Sequence, residues 1–245
     1  MWRLVWLCGF FAGAAGAAQA LECRTESFKG LSYTRCDVDM AADDLRLFLN
    51  DGDGRPWGHF TALDRGLEAS GKMLAFGTNA GMYHPDRSAV GLYVEAGRES
   101  KALVLGPSDS NFGMLPNGIF CFGPGRAAVI ETRAYAANPP ECRYATQSGP
   151  MLVIEGALHP RFLPDGTSRY IRNGVGVSSD GARAIFVISD QSVTFYEFAR
   201  YFRDGLRVPQ ALYFDGSISR LHAPALERSD PGFAMGPIVG VVVPR

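Results

Sequence analysis

Apolar positions recur mainly with a period of two, in short runs separated by turn residues. Glu22 to Ser27 and Leu31 to Asp39 flank Lys29-Gly30 and predict a hairpin. Leu45, Leu47 and Leu49 alternate with polar neighbours and predict a third strand. Further apolar runs predict strands at 72–77, 90–95, 119–122, 127–132, 151–154, 174–177, 184–189, 211–214 and 238–243. Helical spacing occurs twice, with Phe60, Leu63 and Leu67 on one face of 60–69. The second face carries Phe195, Phe198, Tyr201 and Phe202 within 193–203. Many short strands with two helices predict an α+β class, a single domain on mixed or antiparallel sheet. Asp51-Gly52-Asp53-Gly54 has the start of a calcium loop but not its later ligands or bidentate Glu, so a tight turn is expected there.

The first twenty residues depart from this pattern. Met1-Trp2-Arg3 is positive, Leu4 to Ala17 is apolar, and Ala18-Gln19-Ala20 offers the small residues of a cleavage site. The apolar run falls short of the roughly 20 residues a span needs. We therefore expect a signal peptide over 1–20, a mature domain over 21–245, and a periplasmic or secreted location without stable membrane insertion. Cys8 leaves with the leader, and Cys23, Cys36, Cys121 and Cys142 remain. An even count in an exported chain predicts disulfides. Three pairings are open, and sequence proximity favours Cys23 with Cys36 and Cys121 with Cys142. Zinc is disfavoured because no pair has C-x-x-C spacing and no His stands near at ligand spacing. The formal net charge is −1, and no basic run favours a nucleic-acid partner.

Candidate chemistry lies in polar, Gly-containing turns beside apolar strands. These are Thr78-Asn79-Ala80-Gly81-Met82-Tyr83-His84, Pro116-Asn117-Gly118, Thr146-Gln147-Ser148-Gly149-Pro150, Arg172-Asn173-Gly174 and Asp215-Gly216-Ser217, with Asp190 closing a strand. Strand ends on a rigid sheet can bring polar groups together from distant positions. Each turn alone has an ordinary explanation, because Asn-Gly and Asp-Gly pairs form turns readily. Asp190 could equally cap the helix that follows, and Glu197 could be a solvated helix residue. Ser148 has no His partner in its local sequence, so a Ser-His-Asp hydrolase is disfavoured.

As an ordered set these segments resemble the phosphodiester glycosidase family, and in particular its bacterial exported branch. The resemblance rests on Asn79-Ala80-Gly81-Met82-Tyr83-His84, Gly91-Leu92-Tyr93-Val94-Glu95 and Leu212-Tyr213-Phe214-Asp215-Gly216-Ser217. Many members carry Asn-Gly-Gly-Phe-Phe at the first turn and Asp-Gly-Gly-Gly-Ser at the last. This chain keeps Asn79, Gly81 and Asp215 but has lost glycines around them. The resemblance implies hydrolysis of a glycosidic bond in a sugar-1-phosphodiester or a related phosphorylated or acidic glycan. Glycosidases usually work with two carboxyl groups. A phosphate leaving group is a weak base, so donors that hold its oxygens gain in value over acid assistance. Asp215, Asp190 and Glu197 are the candidate carboxylates, and Arg172 is the candidate phosphate clamp because its planar fork matches phosphate. Asn79, Gly81, His84, Asn117, Gln147, Ser148, Gly149, Asn173 and Gly216 are the candidate substrate-binding positions. No cofactor is assigned, although clustered Asp, Asn and carbonyl oxygens suit a divalent cation. A non-catalytic binding protein for a phosphorylated saccharide is the rival. The two readings divide on whether Asp190, Asp215, Arg172 and Asn79 line one pocket.

Overall fold

The structure is a computed structural model that describes residues 21–108, 110–215 and 217–245. The expected signal peptide and the Gly216 position lie outside the described residues. In chain order the elements are β1 (Glu22–Phe28), β2 (Leu31–Asp39), β3 (Asp44–Phe48), α1 (Phe60–Glu68), β4 (Lys72–Asn79), β5 (Tyr93–Glu95), β6 (Arg98–Lys101), β7 (Gly118–Gly123) and β8 (Arg126–Glu131). There follow α2 (Thr132–Ala137), β9 (Tyr144–Ser148), β10 (Met151–Ile154), β11 (Ala157–Leu158), β12 (Asn173–Val177), β13 (Arg183–Ser189), α3 (Phe195–Arg200), β14 (Gln210–Asp215), β15 (Leu221–Ala223), β16 (Arg228–Ser229) and β17 (Ile238–Pro244).

The strands form three sheets, ordered β1-β2-β13-β12-β14-β10-β11, β16-β15-β4-β17-β3 and β6-β5-β9-β7-β8. Every pairing between them is antiparallel. One face of each sheet turns toward a shared core. Phe186 from the first sheet stands 4.9 Å from Phe76 of the second and 5.7 Å from Phe120 of the third. The opposite faces need cover, and short helices supply it. Phe60, Leu63 and Leu67 of α1 pack with Leu74 and Val242 on the second sheet. Full burial of such side chains contributes about 1.5–3 kcal/mol each. Phe198 and Phe202 cover Tyr33, Val187 and Tyr213 on the first sheet.

The hairpin, the Leu45–Leu47 strand, the first helix and the Asp51 turn form where the pattern places them, and Cys23–Cys36 and Cys121–Cys142 are the disulfides. Cys23 and Cys36 face each other across the β1–β2 register. Three departures have local causes. The second helix starts at Phe195 because Val193 bridges Tyr170 and Thr194 caps the helix through a capping box with Glu197. It then runs into a π-helical turn at Tyr201–Gly205. Thr132 opens α2 instead of closing a strand, with the Glu131 carboxylate accepting from Ala134 N. Thr146, Gln147 and Ser148, expected in a turn, are buried in β9, and the chain reverses only at Gly149-Pro150. Among the described residues no helix is long and apolar enough to cross a membrane.

Candidate functional site

Two buried amides tie the first and second sheets together at one end. Asn79 is the last residue of β4 and Asn173 is the first of β12, each at most 1% exposed. Asn79 Nδ2 donates to Asn173 Oδ1 at 3.2 Å, and Asn173 Nδ2 donates back to Asn79 Oδ1 at 3.1 Å. Asn173 Nδ2 also reaches Thr78 Oγ1 and the Asn79 carbonyl. Asn79 Oδ1 accepts from Arg220 N, and Asn173 Oδ1 accepts from Asp215 N and Ser219 Oγ. Polar groups this deep are costly unless bonded, and here the bonds are made across four strand ends.

Asp215 stands on this joint. The β12–β14 register pairs Asn173 with Asp215 but Gly174 with Tyr213, so Phe214 is the extra residue of a bulge. Ser148 Oγ donates to the Phe214 carbonyl and Ser219 Oγ to the Asp215 carbonyl, fixing the backbone on both sides. Asp215 Oδ1 accepts from Ser217 N at 2.9 Å, the side-chain bond of a tight turn. Tyr83 lies within electrostatic reach of the carboxylate. Its hydroxyl is buried and has no hydrogen-bond partner among the described residues. Burial and then the Asp215 charge push its pKa up to about 12, with Arg87 and Arg220 acting in the other direction. The Arg87 guanidinium lies 5.6 Å from the centre of the Tyr83 ring. Gly236 lets the ring in, since a Cβ there would fall 2.5 Å from the Tyr83 side chain.

A cavity of about 370 Å³ opens beside the turn after Asp215, lined in part by Arg169, Tyr170, Ser192, Ser217, Ser219 and Phe233. Two larger clefts, about 460 and 520 Å³, share Arg143 and Gly123 and lie at the opposite strand ends.

A sequence model described as phosphodiester glycosidase matches residues 72–224, more than half of the chain. The chain belongs to the phosphodiester glycosidase family. The uncharacterized protein YigE of Escherichia coli is 34% identical over 185 residues, covering 76% of this chain and 72% of that protein. The zebrafish N-acetylglucosamine-1-phosphodiester alpha-N-acetylglucosaminidase catalytic domain, auto-inhibited by its pro-peptide, superposes with a TM-score of 0.60 at 12% identity over 90% of this chain and 81% of that one. A putative exported protein from Burkholderia pseudomallei gives a TM-score of 0.56 at 11% identity, over 86% and 74%. At such identities the structural likeness establishes the fold.

In this phosphodiester glycosidase fold, Asn79, Asn173, Ser148 and Asp215 come together, and the other sequence candidates are placed differently. Arg172 does not offer a phosphate clamp. It is 1% exposed, with Nε on Val193 O, Nη1 on the Tyr213 hydroxyl, Nη2 on Ser168 O, and its guanidinium 3.6 Å from the Phe195 ring centre. Glu197 accepts from Thr194 N in the capping box and pairs with Arg169, which makes it a helix-start residue. Asp190 accepts from Ser32 Oγ and Thr34 Oγ1 and pairs with Arg228 at 2.8 Å. It follows β13 directly, and β13 and β14 flank β12, so their backbones stand about 10 Å apart across the sheet. Asp190 thus spends its carboxylate on Ser32, Thr34 and Arg228, and Arg172 its guanidinium on Val193, Tyr213 and Ser168.

Gln147 is consumed within the third sheet's surroundings, bonding Leu92 N, Val104 N and Val104 O. Asn117 Nδ2 donates to Phe112 O, while its Oδ1 is buried and unpartnered among the described residues. Gly81 and Gly149 are places of close approach. A Cβ on Gly81 would lie 2.3 Å from Thr146 Oγ1, and one on Gly149 2.6 Å from Asn117 Cβ. His84 is exposed in the turn closed by its own N–H to Ser88 O. Tyr83 was not singled out from sequence, although it sits inside the motif. An aromatic beside His84 reads as packing until the fold brings it within electrostatic reach of Asp215. Among the described residues no group of three or more His, Cys, Asp or Glu side chains could hold a metal ion.

Proposed function

We propose that this chain is an exported hydrolase that cleaves the glycosidic bond of a sugar-1-phosphodiester, with Asp215 as the working carboxylate. The observation that carries the reading is Asp215 on the rigid Asn79–Asn173 joint, electrostatically coupled to the buried Tyr83 hydroxyl. Family membership supports the reaction type. The pairing of Asp215 with Asp190 gives no support, because Asp190 is held elsewhere by Arg228.

In the proposed reaction the anomeric C–O bond breaks and the phosphate leaves as a monoester. Asp215 either takes a proton from the attacking water or attacks the anomeric carbon itself, giving an intermediate that water then opens. Tyr83, its hydroxyl buried, stays protonated at neutral pH and adds no charge near Asp215, and Arg87 over its ring balances the leaving charge. Export is supported by the two disulfides, which persist in oxidising compartments.

The test is hydrolysis of sugar-1-phosphodiesters by the purified protein and by Asp215→Asn. Asn preserves the acceptor for Ser217 N, so the turn should survive and the melting temperature should hold. The rate should fall about a hundredfold or more. A near-normal rate in this variant removes Asp215 from the chemistry. A wild-type protein that binds such diesters without turning over any of them would be a binding protein.

A further inference from the structure

We infer that the cavity beside the Asp215 turn is the subsite for the sugar ring, with Tyr170 and Phe233 as its stacking platforms; this rests on the proposed hydrolase. Four large apolar side chains are more than half exposed among the described residues: Leu105, Leu163, Tyr170 and Phe233. The two aromatic ones line the same cavity. Single exposed apolar residues are ordinary, but two aromatics on one cavity mark a binding surface.

Both rings are mounted on fixed backbone. Phe233 is 81% exposed, yet Arg220 donates to the carbonyls on its loop, with Nε and Nη2 on Asp230 O and Nη1 on Phe233 O at 2.8 Å. Two residues on, Met235 is fully buried and its N–H bonds Gly58 O. The loop is thus anchored before and after an outward-facing Phe. Tyr170 is 51% exposed and is held by two backbone hydrogen bonds with Val193. The Arg172 guanidinium, 5.4 Å from its ring centre, steadies it from below. That gives the buried, carboxylate-free Arg172 a purpose that phosphate binding does not.

The chemistry of the lining selects a polyol. Apolar ring faces suit the C–H face of a pyranose, and the hydroxyls of Ser192 and Ser217 both donate and accept, as sugar hydroxyls require, while Ser219 Oγ, its proton on the Asp215 carbonyl, accepts. Among the described residues no Asp or Glu lines the cavity, and Arg169 is already paired with Glu197. A neutral sugar therefore fits better than a cation. Ser217 and Ser219 also bond Asp215, which links the ring held here to the bond cleaved there.

The experiment is ligand-observed NMR titration of the purified protein with neutral methyl glycosides, adenosine and inorganic phosphate as separate probes. Methyl glycosides should bind the wild-type protein. Phe233→Ala and Tyr170→Ala should each weaken that binding at least about tenfold, and Phe233→Trp should restore it. Equal binding to Phe233→Ala, or a preference for adenosine or phosphate over every glycoside, overturns the subsite. Glycoside binding with this pattern but no diester hydrolysis would keep the subsite and sink the hydrolase. Hydrolysis with normal KM in both alanine variants would do the reverse.

Discussion

Tyr83 holds its proton at neutral pH as a phenol ordinarily does, and burial and the Asp215 charge push its ionisation further away. Tyr83→Phe keeps the ring against Gly236 and removes only the hydroxyl. We expect kcat on a sugar-1-phosphodiester to fall about ten- to a hundredfold with KM little changed. An unchanged kcat would assign Tyr83 to packing alone. His159 shows the opposite case. It is 1% exposed and stacked on Phe162, and burial lowers its pKa from 6.5 to about 4. Below pH 6.5 the unfolded chain binds this proton before the folded chain does, so stability is lost as pH falls from about 6.5 toward 4. His159→Phe should flatten that part of the pH–stability curve in urea titrations. A variant with the same slope as wild type would show that other groups cause it.

Among the elements, the segment 168–172 illustrates how a side chain can organise a loop. Arg172 reaches Ser168 O, Val193 O and Tyr213 in three directions, and only a planar fork can do so. Arg172→Lys should therefore lower stability by about 2–3 kcal/mol, since the buried charge would lose its fork of bonds to Val193 O, Ser168 O and the Tyr213 hydroxyl. Chemical denaturation measures this directly. If stability is unchanged and only diester binding suffers, Arg172 is a ligand contact after all. Element positions were largely legible in the sequence, because period-two alternation survives wherever one sheet face meets the core. Strand β9 was not, since Thr146, Gln147 and Ser148 look like turn residues. Their burial is made tolerable by bonds such as Gln147 to Leu92 and Val104, partners tens of residues away.

At the scale of the molecule, three sheets share one core and the disulfides staple two of them. Cys23–Cys36 closes a separation of 13 residues across the edge hairpin, and Cys121–Cys142 closes 21 residues between β7 and the start of β9. By loop-closure entropy each contributes about 3 kcal/mol. Reduction should move the urea midpoint down in proportion, and intact-mass measurement should show four added protons. A midpoint insensitive to reductant would mean that the core alone carries the stability.

The sequence by itself determined the class of the fold, the family, the cysteine framework favoured by proximity, and Asn79, Asn173 and Asp215 as residues at strand ends. Alternation, turn chemistry and ordered motifs are local, so one chain displays them. What tertiary structure decided is which polar side chains meet. Asp190 and Arg172 have the right chemistry in sequence, but strand order puts Arg228 against the first and backbone carbonyls around the second. Tyr83, which reads as an ordinary aromatic, is brought within electrostatic reach of Asp215. The pairing of strands β4, β12 and β14 is long-range, and a charge is useful or merely satisfied according to neighbours that only this pairing supplies.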